Sequence, residues 1–141
     1  MGYFYVGGKT NQRTNAYVKI GETNQERLIR RIQNIRCKEG NFSLFKYLVF
    51  ENSTKALTKA VEGHTRFMLE KIGYKNIQND HFEWRTTPAK KKKEYAIFAD
   101  NAIKYAIEYC EMMGISYQLC EGDYNLPFNS TQEYLNEVAT L

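Results

Sequence analysis

The sequence predicts an α/β (α+β) domain: a small central antiparallel sheet flanked by helices, with an added C-terminal helical segment. Three observations lead there. Two short runs near the start, 3–6 and 15–20, alternate with the two-residue period of strands, and a polar, glycine-rich connection of hairpin length joins them. A third run, 42–50, is apolar on both alternating faces, as a strand covered on both sides must be. Three stretches with helical spacing, 24–38, 53–72 and 89–113, separate and follow these runs.

Each element has a local reason. In the first strand Tyr3 and Tyr5 share one face, and Phe4 and Val6 take the other. In the second, Tyr17 and Lys19 oppose Val18 and Ile20; hairpin pairing sets the Tyr3/Tyr5 face beside the Tyr17/Lys19 face if both point the same way. Gly21 is expected to break this strand, and Thr23 or Asn24 to cap the first helix. Leu28, Ile32 and Ile35 form its buried stripe, while Arg27 and Arg31, four apart, project together on a neighbouring face. Ser53 is expected to cap the second helix. Its apolar stripe runs Leu57, Val61, His64, Met68 and Ile72, with Glu62 at the rim. An extended piece at 82–85 precedes Pro88 and the run Lys90, Lys91, Lys92 and Lys93, which is good helix material together with alanine. The third helix is expected to bury Ala96, Ala99, Ile103, Ala106, Ile107 and Cys110, and Gly114 to stop it. Residues 115–120 read as a strand or an irregular return, and 130–139 as a capped helix. This divides the chain into a module at 1–87 and an extension at 88–141 packed on the same domain.

Composition narrows the class. The 141 residues suit one domain, and a hydrophobic fraction of 43% with only two prolines indicates a folded chain. A net charge of +4 permits a nucleic-acid partner without demanding one. Cys37, Cys110 and Cys120 are odd in number and lack a CxxC pair, which argues against a disulfide framework or a structural zinc site. They read as free thiols in a reducing compartment. The start, MGYFYVGGKT, lacks the pattern of a signal peptide, and no stretch has the length of a membrane span. A cytoplasmic protein without a membrane partner is the expectation.

The chemistry concentrates in 15–36. There a phenol, an ammonium and several guanidinium groups surround one turn, a set that suits a phosphate better than an apolar ligand. The order Gly2-Tyr3-Phe4-Tyr5, Tyr17-Val18-Lys19-Ile20-Gly21, Arg27, Glu62 and Glu83-Trp84 resembles the GIY-YIG nuclease superfamily. The closer likeness is to the subgroup with Lys-Ile-Gly-x-Thr as second motif, here Lys19-Ile20-Gly21-Glu22-Thr23, and a late Glu-Trp pair. It covers roughly residues 2–86.

The resemblance implies a metal-dependent endonuclease that hydrolyses DNA phosphodiester bonds with Mg²⁺ or Mn²⁺, of a kind found in phages and other mobile elements. It places Tyr5 on the first motif tyrosine and Lys19 on the second, with Tyr17 on the same face as a competing phenol. Arg27 matches the helix arginine, Arg31 stands where some members have a histidine, and Glu62 matches the metal-binding glutamate. Tyr5 would then serve as base or water-positioner and Arg27 as phosphate clamp, with Arg30 competing for that role. Arg30, Lys90, Lys91, Lys92 and Lys93 are candidate contacts to DNA phosphates. Sequence specificity would come from the module, from a homodimer or from a protein partner, or be slight.

Plainer readings stand beside these. The tyrosines can pack across paired strands, the later arginines can form a solvated helix face, and Glu62 can pair with Arg66 at i+4. His64 reads as a core histidine and Trp84 as core. The alternatives are a catalytically degraded module that binds nucleic acid or a protein, and a phosphate-handling enzyme acting on a substrate other than DNA.

Overall fold

Because β1 (Gly2–Lys9) carries bulky side chains in both alternating phases, it needs cover on both faces, and it sits at the centre of the sheet. The computed structural model describes residues 1–9, 17–24, 27–39, 42–75, 84–85 and 92–122. Among these, β2 (Tyr17–Thr23) and β3 (Ser43–Phe50) flank β1, while β4 (Trp84–Arg85) and β5 (Gln118–Glu121) form the edges. The order is β4-β2-β1-β3-β5, and every pairing is antiparallel.

The two phases of alternation define two cores. Phe4, Val6, Val18, Ile20, Phe45 and Leu48 point to the layer formed by α2 (Lys55–Lys71) and α3 (Lys92–Met113). Tyr3, Tyr5, Phe42, Leu44, Tyr47 and Val49 point to the opposite layer. There α1 (Leu28–Glu39) buries Leu28, Ile29, Ile32 and Ile35. The predicted antiparallel sheet flanked by helices is thus observed.

Several boundaries differ from expectation for physical reasons. Gly21 does not break the strand; β2 continues to Thr23. Gly21 is opposite Tyr5, and a Cβ there would overlap the Tyr5 ring and hydroxyl. The glycine is therefore required by a cross-strand contact rather than by a turn. Asn24 does not cap α1: its amide donates to Ser53 Oγ at 2.8 Å and to the Ser53 carbonyl at 3.1 Å. Helix α2 is capped by Thr54, whose hydroxyl accepts from the Leu57 amide at 3.2 Å, and not by Ser53. Ile72 ends the helix as its C-cap and is 47% exposed, so it leaves the expected stripe. Gly73 and Gly114 close α2 and α3 with φ of 106° and 69°, a backbone that favours glycine.

The C-terminal extension belongs to the same core. From α3, Phe98, Ala99, Ala102, Ile103, Ala106 and Cys110 are buried against the strands and α2. Residues 118–121 add a strand to the sheet beside β3. Lys46 ties these parts together, reaching Asp100 on α3 at 2.9 Å and Glu121 on β5 at 3.6 Å. The expected helix at 130–139 lies outside the described residues. No helix among those described is long and apolar enough to cross a membrane.

Candidate active site

The candidate residues of the first two strands meet on the sheet face beneath α1. Antiparallel register aligns them in rows. Tyr3 is opposite Thr23 on one side and Val49 on the other, Tyr5 lies between Gly21 and Tyr47, and Gly7 is opposite Lys19. Directly opposed residues share a face. Tyr5 and Lys19 therefore point the same way, toward α1, and both are buried.

Helix α1 runs in step with β1. Arg31, half-exposed, donates from Nε to the Tyr5 hydroxyl at 3.3 Å. One turn earlier, Arg27 is exposed just before the helix and acts electrostatically on Tyr3. Burial raises the Tyr3 phenol above its ordinary value, and the Arg27 guanidinium pulls it the other way. The Tyr3 hydroxyl donates to Met1 Sδ at 3.2 Å. Arg30 is exposed on the outer side of α1. Arg36 is engaged locally, donating from Nε and Nη2 to the Phe42 carbonyl, each at 3.3 Å.

Glu62 is placed differently. It is carried by α2, in the layer across the sheet from α1, and is buried beside Val61 and Thr65. Its Oε1 accepts from Arg66 Nη1 at 3.1 Å. The two layers are linked in the chain at the end of β2. There Glu22 Oε2 accepts from Thr58 Oγ1 at 2.8 Å, one helical turn before Glu62, and Asn24 binds Ser53. Arg27 follows three residues after Asn24. Glu62 is a hard oxygen donor whose Oε1 accepts from Arg66 Nη1. Its carboxylate is the ligand type that Mg²⁺ uses, an ion that keeps several waters and binds through one or two carboxylates.

The structure thus brings together Tyr5, Arg31 and the Lys19 face, with Arg27 one turn away, and it puts Glu62 on the second layer. Tyr17 is described through its backbone, opposite Lys9. Lys92 and Lys93 open α3. The side chains of Tyr17, Lys92 and Lys93, together with Lys90, Lys91 and Glu83, lie outside the described residues, as does the Trp84 side chain. His64 packs on Tyr109 with ring centroids 4.9 Å apart, bridging α2 and α3.

Two neighbours of the site were not legible beforehand. Tyr47 is fully buried beside Tyr5 because β1 pairs with β3 on its other edge, a pairing that no local signal encodes. Glu22 faces α2 because β2 runs past Gly21, where a turn was expected. Comparison with known proteins adds no relative: no family profile, curated protein or solved structure matches the chain.

Proposed function

We propose that the chain is a divalent-metal-dependent endonuclease that hydrolyses DNA phosphodiester bonds, in keeping with its resemblance to the GIY-YIG superfamily. The observation that carries this reading is the bond from Arg31 to Tyr5 on the face shared with Lys19. It fixes a guanidinium over a sheet whose buried residues include a second cation. Arg27, one turn before Arg31, and Arg30 are exposed. Such a set matches the charge of a phosphodiester as water attacks phosphorus.

In the reaction, the water oxygen forms a bond to phosphorus and the bond to the leaving oxygen breaks. The water gives up one proton and the leaving oxygen gains one. Arg27 and Arg31 hold the phosphate oxygens. Tyr5 is fully buried, with its hydroxyl turned to Arg31, so it acts as a positioning residue for that guanidinium instead of a base in contact with water. Lys19 adds positive potential from beneath. Mg²⁺ or Mn²⁺, held by Glu62, would supply Lewis-acid stabilisation of the developing charge.

A second reading, a nucleic-acid or protein-binding module with a degraded site, is favoured by one observation. Glu62 is paired with Arg66 in the layer away from the Tyr5–Arg31 pair. Cutting and binding of branched and supercoiled DNA, measured together, separate the two. The nuclease reading expects Arg27→Ala and Arg31→Ala to slow cutting by about 10²-fold or more, the scale of losing a charge-stabilising donor. Folding would be retained. Tight DNA binding by folded wild type with no metal-dependent product on either substrate would establish the binding module instead.

A further inference from the structure

The outer face of α2 takes no part in either core. Lys55, Lys59 and Lys71 are exposed on it, and the Arg66 side chain is 31% exposed. Phe67 is 56% exposed. Lys71 Nζ lies over the Phe67 ring, 5.1 Å from its centroid, so a cation already covers one face of the ring and the opposite face is the one a base would use. Between the cations the helix is low: Ala56 is exposed, Ala60 is half-buried, and a Cβ on Gly63 would meet nothing within 4 Å. Along the flank of α3, Tyr105 and Tyr109 are half-buried, with Lys104 Nζ 5.7 Å from the Tyr105 ring and His64 stacked on Tyr109. On α2, Glu62 and Glu70 oppose the four cations, and Glu62 is already paired with Arg66.

We propose that this face of α2 is a docking surface for single-stranded DNA: an unpaired base stacks on Phe67 while the phosphates track Lys55, Lys59 and Lys71. Cations and a solvent-facing aromatic ring together are what an unpaired strand requires, because every base offers a π-face and every phosphate a charge. A duplex hides its base faces and would use the lysines alone. The small residues at the centre let the strand approach the helix closely, with the aromatic ring standing at one side. This surface is separate from the α1 face, and its occupancy does not depend on cutting.

The test is fluorescence anisotropy of a labelled twenty-nucleotide oligothymidylate and of a labelled duplex of equal length, both in chelator so that no cutting occurs. Phe67→Ala is expected to weaken oligothymidylate binding about tenfold, with the salt slope unchanged and duplex binding little affected. Lys59→Gln and Lys71→Gln are each expected to reduce the salt slope by about 0.7, one phosphate's worth for a single strand. Leu119→Ala, which removes an exposed apolar side chain on the edge strand β5, serves as the control and is expected to change nothing. Equal oligothymidylate affinity in wild type and Phe67→Ala overturns the proposal. So does equal weakening of duplex binding, or a wild type that binds neither strand form. An oligouridylate arm that binds more tightly than oligothymidylate would assign the surface to RNA and overturn it as well. None of these outcomes depends on whether the chain cuts DNA.

Discussion

At the scale of single residues, Gly21 and Gly63 make opposite predictions from the same substitution. A Cβ on Gly21 would enter the Tyr5 ring, which is fixed between two strands and beneath α1. Gly21→Ala is expected to cost about 1–3 kcal/mol, as overpacking does. Gly63 lies inside α2 with open space around it, so Gly63→Ala is expected to gain about 0.5–1 kcal/mol through backbone entropy and helix propensity. Urea denaturation of the two variants checks the signs. Cys110 gives a pH dependence. Burial, aided by Glu111, raises its thiol from 9.0 to about 11. The unfolded chain then ionises first, so this contribution to stability is intact below about pH 9 and is lost as pH rises through about 11. Thermal melts across that range should show the decline, and Cys110→Ala should flatten it. Alternation alone placed Tyr3 with Tyr5, since side-chain direction within a strand is a local property; that Lys19 shares their face depends on the register of β1 with β2. The reason for Gly21 was not legible, because its partner is in another strand.

At the scale of elements, the helices were found but their faces were only partly read. In α2 the buried line is Thr58, Val61, Glu62, Thr65 and Leu69. The apolar period pointed instead to Leu57, His64 and Met68, which are half-buried. The helix is covered by the sheet on one side and α3 on the other, so its buried arc is wider than its apolar stripe. Three polar side chains enter that arc with partners: Thr65 donates to the Val61 carbonyl at 2.8 Å, Thr58 binds Glu22, and Glu62 binds Arg66. Hydrogen bonding makes their burial tolerable, and hydrophobic periodicity cannot report it. The helix start is testable. Thr54→Ala is expected to cost about 1 kcal/mol through loss of the cap to the Leu57 amide, measured by denaturant titration. Ser53→Ala should cost less at the cap.

At the scale of the whole molecule, the division at residue 87 separates a motif from the rest without separating two folding units. Helix α3 fills the core over Phe4, Val6 and Phe45, and β5 extends the sheet at β3. A chain ending at residue 91 would expose that layer, so it is expected to show no cooperative urea transition, whereas the full chain should unfold in one step. The fold class was legible because strand and helix periods are strong and well separated here. Which strands become neighbours was not, and β3 beside β1 is what surrounds Tyr5 on both sides. The candidate site shares this limit: its residue types could be read in order along the chain, but Glu62 lies in the second helical layer, a placement set by packing. The central claim is that these two layers serve one metal-dependent reaction. The most direct measurement is the rate of supercoiled-plasmid nicking by the full chain in Mg²⁺, in Mn²⁺ and in chelator, with Glu62→Ala alongside and its folding verified by circular dichroism. Nicking by wild type in either metal, none in chelator and none by folded Glu62→Ala is the expected result. Nicking that persists in chelator or in Glu62→Ala, or its absence from folded wild type, would contradict it.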